Sequence, residues 1–198
     1  MLNYNSIAPI YDLLKNCVFG KPIFKIQKAQ LSEIQQEDLV LVIGGGTGYL
    51  LEHLHANVDY VDSSYRMIRS AQRRDTRSSV TFHCCRLEEL KPIVKYDYII
   101  SDFFLDLFSD EDLAKVIDLI KSMLRITGRL IVKDFGVPKT CYQSWLSYSM
   151  HTFFRLTTQL KRKRFADLES VLLRNGFKLK DQVFVRKGFI NSWVFSLR

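Results

Sequence analysis

Cysteine is scarce in this chain and unpatterned. Cys17, Cys84, Cys85 and Cys141 form no Cys-x-x-Cys pair and stand beside no paired histidines, so neither a zinc site nor a disulfide framework is indicated. No metal is expected. No apolar run approaches the ~20 residues that cross a bilayer, and residues 1–5 lack the basic-then-apolar pattern of a secretory leader. A cytoplasmic protein is expected. An acidic excess is missing too: the net charge is +8, and residues 155–198 carry eleven Lys and Arg against three Asp and Glu, which is the whole of it. That quarter either faces something anionic or is simply solvated. What is present suffices for one domain, since 198 residues with 47% hydrophobic content can build a substantial core.

Residues 40–48, Val-Leu-Val-Ile-Gly-Gly-Gly-Thr-Gly, read as a buried strand entering a glycine turn, and Asp62 follows at the end of the next apolar run. Gly44, Gly46 and Gly48 remove side chains where a strand must turn sharply and where a ligand can lie against bare backbone. An acidic residue about 20 positions on is where such folds bind ribose hydroxyls. The pyrophosphate fingerprint Gly-x-Gly-x-x-Gly fails at Tyr49, and the phosphate loop Gly-Lys-Ser/Thr fails because Tyr49 and Leu50 follow Gly48. Gly-x-Gly-x-Gly remains, and it resembles motif I of the class I S-adenosylmethionine (SAM) methyltransferases.

The hydropathy pattern predicts alternating strands and helices. Residues 5–18 and 21–34 have helical spacing, broken at Gly20-Lys21-Pro22. Strands are expected at 39–43, 58–62, 80–84, 98–101 and 130–133, with Cys84 and Cys85 as ordinary strand residues. Short helices are expected around Leu50, Leu51 and Leu54 and over 65–74, and a longer one capped by Asp110 and ending at Thr127-Gly128. A long aromatic helix over 140–159 and a basic run, Lys161-Arg162-Lys163-Arg164, interrupt the rhythm before a helix from Phe165 to Asn175-Gly176. Residues 177–185 and 189–197 then form a hairpin around Arg186-Lys187-Gly188. The expected fold is α/β, a Rossmann-like doubly wound sheet of about seven strands with an antiparallel C-terminal hairpin. Residues 1–198 are read as one domain: N-terminal helices at 1–36, a cofactor-binding core at 38–135, a helical lid at 140–164, and the last helix and hairpin at 165–198.

That order resembles the class I methyltransferase family over essentially the whole chain, including its reversed last strand. The run from Val61 to Ala71 is similar to the family's second motif, which implies that Asp62 takes the ribose hydroxyls and Met67 covers the adenine, with Ser63 beside them. Residues 96–108 resemble the strand-four motif that frames the methyl group, and 123–130 the turn into strand five. Residues 5–12, Asn-Ser-Ile-Ala-Pro-Ile-Tyr-Asp, are similar to an element of quinone-biosynthesis-type methyltransferases, which implies that Tyr11 lies over the cofactor. The resemblance thus implies SAM as cofactor, held by Tyr11, Gly44, Gly45, Gly46, Gly48, Asp62, Ser63, Met67, Arg86, Leu87 and Asp102. Two positions depart from the family pattern: Val42 stands where an acidic residue is usual, and Cys85-Arg86 where an aspartate reads the adenine. A backbone amide near Arg86 or Leu87 is the expected substitute.

Methyl transfer is an in-line displacement that depends on proximity and alignment, with a base only where the acceptor must lose a proton. Candidates near the methyl position are Asp102, Asp106 and His151, with Asp134 and Tyr142 beside them. Each has a plain structural alternative as a capping or packing residue. Trp145, Tyr148, Met150, Phe153, Phe154 and Leu156 are expected to pack their helix onto the sheet and to line a pocket for a small, apolar or aromatic acceptor. Arg155 and Lys161 to Arg164 form the surface on which a peripheral membrane contact would rest, and one basic cluster without an RNA-binding domain argues against a nucleic-acid partner. Three alternatives stay open: a non-catalytic SAM-binding protein, an RNA methyltransferase, and an aminopropyltransferase-like enzyme with Asp102 as base.

Overall fold

The computed structural model describes residues 18, 20–91, 94–158 and 166–198, without the side chains of 150, 151 and 153–158. Residues 5–17 of the expected first helix, Tyr11 among them, lie outside the described residues, as do Lys161 to Phe165. The elements run α1 (Lys21–Lys28), β1 (Leu39–Ile43), a 3-10 turn (Tyr49–His53), β2 (Asn57–Val61), α2 (Tyr65–Ala71), β3 (Ser79–His83) and β4 (Tyr96–Asp102). A second 3-10 turn (Leu105–Leu107) leads to α3 (Asp110–Met123), β5 (Leu124–Phe135), α4 (Cys141–Thr158), α5 (Leu168–Arg174), β6 (Phe177–Val185) and β7 (Ile190–Leu197).

The strands form one sheet in the order β3-β2-β1-β4-β5-β7-β6. β1 pairs with β2 and with β4 in parallel, whereas β7 runs antiparallel to both β5 and β6. The chain therefore winds outward from β1 through β3, then returns to continue on β1's other side. The crevice beyond the carboxyl ends of β1 and β4, where the order reverses, is where such sheets bind ligands.

β1 can occupy the centre because both its faces are apolar. Leu41 and Ile43 pack into one core with α3 and α5, while Val40 and Val42 pack into the other with Leu50, Ile68 and Ile100. A third cluster gathers Ile23 and Ile26 of α1, Phe135, Leu146, Phe189 and Ile190 at the β5–β7 end. Burial of each such side chain contributes about 1.5–3 kcal/mol.

Several boundaries differ from those the sequence suggests. The residues around Leu50 make a 3-10 turn, not an α-helix, because Gly48 enters it in the left-handed region at φ +84. α2 stops at Ala71 and β3 at His83, which puts Cys84 and Cys85 beyond the strand. α3 is capped by Ser109, whose hydroxyl accepts from Asp112 N–H, not by Asp110. The same helix stops at Met123, because Leu124 already pairs with Tyr96 in β5, with a register irregularity before Tyr98 pairs with Arg129. α1 ends at Lys28, short of residue 34.

Candidate cofactor and acceptor site

A cavity of about 470 Å³ opens at the β1/β4 switch point, within the size range of small-molecule sites. Its walls come from the glycine turn (Gly44, Gly46), the end of β2 with Asp62 and Ser63, Met67 of α2, the segment Cys85–Glu88, and the end of β4 with Asp102 to Phe104. The far side is closed by Leu107, Phe108 and the first turns of α3.

The glycines divide their work. A Cβ on Gly44 would stand 2.4 Å from the Phe104 ring, and one on Gly45 would stand 2.2 Å from Tyr60. A Cβ on Gly48 would meet Ala71 at 2.7 Å. These three let neighbouring residues of the protein close in. Of the four glycines of the turn, Gly46 alone would carry a Cβ that meets nothing within 4 Å, although φ is +61. Gly46 is the bare backbone that faces open cavity, while Gly45 and Gly48 are absent from its lining.

Asp62, just past β2, organises this turn. Its Oδ2 accepts from Gly46 N–H at 3.0 Å and its Oδ1 from Ser64 N–H at 2.8 Å. Burial pushes its carboxyl up, and the two N–H groups oppose the shift. Each carboxylate oxygen can accept a second bond, so hydroxyls entering the cavity would be received by lone pairs the backbone leaves over. Tyr60 completes the brace from below, donating from its hydroxyl to the Gly46 carbonyl at 3.2 Å. Burial raises this phenol far above its ordinary value, which keeps it a donor. The sequence carried a signal for it that is easily passed over: a large aromatic on β2, one residue from the strand end, opposite three glycines.

Val42 has no part in this brace. It is fully buried in the apolar core, and Asp62 with Tyr60 holds the turn that an acidic residue at position 42 would otherwise help to organise. At the β3 end, Arg86 N–H is engaged within the protein, donating to Glu89 Oε2 at 3.0 Å. Leu87, Met67 and Phe108 give this end an apolar lining.

The β4 end is acidic and aromatic. Asp102, Asp106 and Asp134 are all buried, and only Asp102 of the three lines the cavity. Gln27 of α1 donates to Asp102 Oδ2 at 2.5 Å. Phe103 follows at φ +53, a conformation that a bulky residue adopts only when its surroundings impose it. Here Phe103 N–H donates to the Lys133 carbonyl at 2.7 Å, and its ring lies 4.9 Å from that of Phe135, which in turn lies 5.6 Å from Phe189. Among the described residues no group of three His, Cys, Asp or Glu side chains could hold a metal ion.

Asp134 faces away from this cavity, wholly buried, with Oδ1 accepting from Phe135 N–H at 2.8 Å and Oδ2 from Asp106 N–H at 3.3 Å. Burial first, and Asp106 second, push its carboxyl well above the usual 3.8. The folded chain therefore binds one proton more than the unfolded chain at pH values between the two. The stability this contributes is complete below the unfolded value and declines as pH rises through the folded one. Urea titrations of wild type and Asp134→Asn between pH 5 and 8 check it. The variant should lack this fall in stability, and an identical slope in both proteins would clear Asp134 of the effect.

α4 is turned differently from expectation. Gln143, Leu146 and Ser147 form its buried face, with Gln143 held by Lys139 N–H at 2.6 Å and by the Arg186 carbonyl at 2.7 Å. Trp145 and Tyr148, expected to pack on the sheet, are instead 64% and 73% exposed, beside Tyr142 at 59%. Trp145 and Tyr148 directly flank Leu146 and Ser147 of the buried Gln143–Leu146–Ser147 stripe, and the turn of about 100° per residue carries them outward. His151 belongs to α4, but its side chain, like those of Phe153, Phe154, Arg155 and Leu156, lies outside the described residues. No described residue of α4 lines the cavity. No described helix is long and apolar enough to cross a membrane.

A methyltransferase domain family model matches residues 40–128, the segment from β1 through α3 into β5 that builds the cavity. A malonyl-[acyl-carrier protein] O-methyltransferase of Bacillus cereus is 31% identical over 140 residues, covering 67% of this chain and 51% of the relative. The chain thus spans about half the length of the relatives it matches. Among solved structures, the methyltransferase complex of the Haloferax volcanii Trm112 activator is similar at a TM-score of 0.72 and 13% identity, covering 100% of this chain and 98% of that one. N-methyltransferase NodS of Bradyrhizobium japonicum, in complex with S-adenosyl-L-homocysteine (SAH), is similar at 0.67 and 16%, covering 94% and 91%. With its seven-stranded order and its glycine turn braced by an acidic residue, the chain has the class I SAM-dependent methyltransferase fold, and residues 40–128 carry its methyltransferase domain.

Proposed function

We propose that this protein transfers a methyl group from SAM to a small, uncharged apolar or aromatic acceptor. The observation that carries the reading is the open cavity at the switch point, bounded by the bare backbone of Gly46 and by Asp62. When bound there, SAM would supply a methyl group on a cationic sulfonium. Asp62 would receive the ribose hydroxyls, Met67, Leu87 and Phe108 would enclose the adenine, and Gly44 and Gly46 would let the methionine portion lie against backbone. Asp102 and Phe103, at the end of β4, would border the reacting atoms. Aligning two reactants and excluding water is the main contribution that such a site makes.

Phe103, which lines the cavity and is backed by the buried rings of Phe135 and Phe189, supports an apolar acceptor. A second reading takes its support from the relatives' printed substrate, a carboxylate carried on an acyl carrier protein. Against it, the cations of the cavity lining, Arg86 and Lys115, stand on the β3 and α3 sides, while Asp102 occupies the β4 end. An anionic acceptor would meet a buried carboxylate there. The helix α4, whose Leu146 belongs to the same apolar cluster as Phe135 and Phe189, would lie beyond these rings as a lid, outside the lining of the cavity itself.

Conversion of SAM to SAH with a panel of neutral phenolic and heteroaromatic acceptors, and in parallel with malonyl-loaded carrier protein, separates the readings. Turnover is expected with the neutral panel, and Phe103→Ala should lower kcat/KM by about tenfold or more with SAM affinity nearly unchanged. Turnover of the malonyl carrier alone would install the second reading. Tight SAM binding with no turnover on either arm would point to a non-catalytic binding protein.

A further inference from the structure

The chemistry proposed above makes no use of Lys133, yet a lysine with no exposed surface in the middle of a small α/β protein requires a reason. Lys133 and Asp102 are register partners on the parallel strands β5 and β4, so their side chains share one face of the sheet, the face covered by α1. The ammonium donates to the carbonyl of Gln27 in the last turn of α1. Carbonyls there lack intrahelical donors, and the helix dipole favours a cation. The side-chain amide of the same Gln27 donates to Asp102, so one residue receives the charge of Lys133 on its backbone and passes a hydrogen bond to the carboxylate bordering the cavity.

Among the other titratable groups that feel Asp102, Asp134 is a fully buried carboxyl and Tyr60 a fully buried phenol. Burial first, then Lys28 of α1 and last Lys133, lower the pKa of His53 on the 3-10 turn after the glycines, with Glu52 opposing. Burial drives Lys133 itself down to about 7, with Asp102 opposing. The ammonium is therefore lost close to neutrality, leaving Asp102 next to an uncharged amine.

We propose that Lys133 is a positioning residue whose charge, delivered through Gln27 and Asp102, sets how strongly the cavity prefers the cationic sulfonium of SAM over the neutral thioether of the by-product SAH. This rests on the reading in which SAM occupies the cavity with its sulfonium toward the end of β4. A protonated Lys133 offsets the field of Asp102 and weakens the preference. A neutral Lys133 restores it, and SAH, whose amino-acid charges SAM shares but whose sulfur is neutral, lacks the charge on which this preference acts.

Calorimetric titration of the full chain with SAM and with SAH, at pH 6 and pH 8.5, tests this. In wild type the ratio of SAM to SAH affinity should rise about three- to tenfold from the lower to the higher pH, as expected for one unit charge acting across a partly screened interior. Lys133→Met should show the high ratio at both pH values, and Lys133→Arg, which keeps its charge, the low ratio at both. A wild-type ratio that does not move, or one that moves equally in Lys133→Met, overturns the proposal. Should the methionine variant fold poorly, the wild-type and arginine titrations still decide. Failure of wild type to bind either ligand would instead overturn the cofactor reading itself, and it would be visible before any variant is made.

Discussion

Asp62→Ala is expected to weaken SAM binding by ten- to hundredfold while leaving the chain folded. The carboxylate would make charge-assisted hydrogen bonds to the ribose worth ~1.5–3 kcal/mol, which convert to that range of affinity. Two further bonds disappear with it, those from the Gly46 and Ser64 N–H groups, so the turn loses its brace as well as the ligand its partner. Asp62→Asn should fall between wild type and alanine, because an amide oxygen can accept from one of those N–H groups while its NH2 faces the other. Calorimetry with SAM gives the affinities, and a thermal melt confirms folding. A dissociation constant unchanged in folded Asp62→Ala would remove this residue from the site. The same cell titrated with NAD should show no saturable binding, since the third glycine of a pyrophosphate turn is replaced by Tyr49.

The sheet was largely legible in the sequence because its information is local. β-branched runs at 39–43 and 98–101 give buried parallel strands, and Gly44, Gly46 and Gly48 mark the turn beside them. Asp62 could be placed because strand length and helix length set its distance from the turn. What escaped is what depends on contacts across the chain. Lys133 and Gln27 are 106 residues apart in sequence, and nothing near Lys133 in an apolar strand announces that its ammonium will meet a helix end. The coupling of Asp134 to Asp106 N–H has the same character, and so does Tyr60 beneath Gly46.

Two other misreadings arose from periodicity. The spacing of Leu113, Val116, Ile117, Ile120 and Leu124 continues smoothly across the helix end, so the pattern alone could not show that Leu124 has already joined β5. In α4 the aromatic residues suggested the buried stripe, but the packed face is Gln143, Leu146 and Ser147. Gln143 can be buried because Lys139 N–H and the Arg186 carbonyl satisfy its amide, a compensation that hydropathy does not register.

Gly45→Ala and Gly46→Ala, adjacent and chemically identical substitutions, should fail in opposite ways. At Gly46 the new methyl meets no protein atom, and the cost to the fold is the left-handed backbone, about 1–2 kcal/mol. For a chain of this size that lowers Tm by about 2–8 °C. The methyl projects into the cavity, however, and SAM affinity should fall by about a hundredfold or more, since a ligand lying against backbone cannot tolerate it. At Gly45 the methyl would stand 2.2 Å from the Tyr60 ring, which is fully buried, hydrogen-bonded to the Gly46 carbonyl and packed 5.5 Å from Phe82. Tyr60 has nowhere to move, and the overpacking should cost on the order of 3 kcal/mol. Pairing Gly45→Ala with Tyr60→Val should recover part of that stability, whereas in Gly46→Ala the same partner relieves no clash, removes the hydroxyl that braces the Gly46 carbonyl and should lower stability further. Thermal melts and SAM titrations on the four proteins read both effects. Normal SAM binding by folded Gly46→Ala would mean that no ligand lies against this backbone, and the glycine turn would then be a packing device alone.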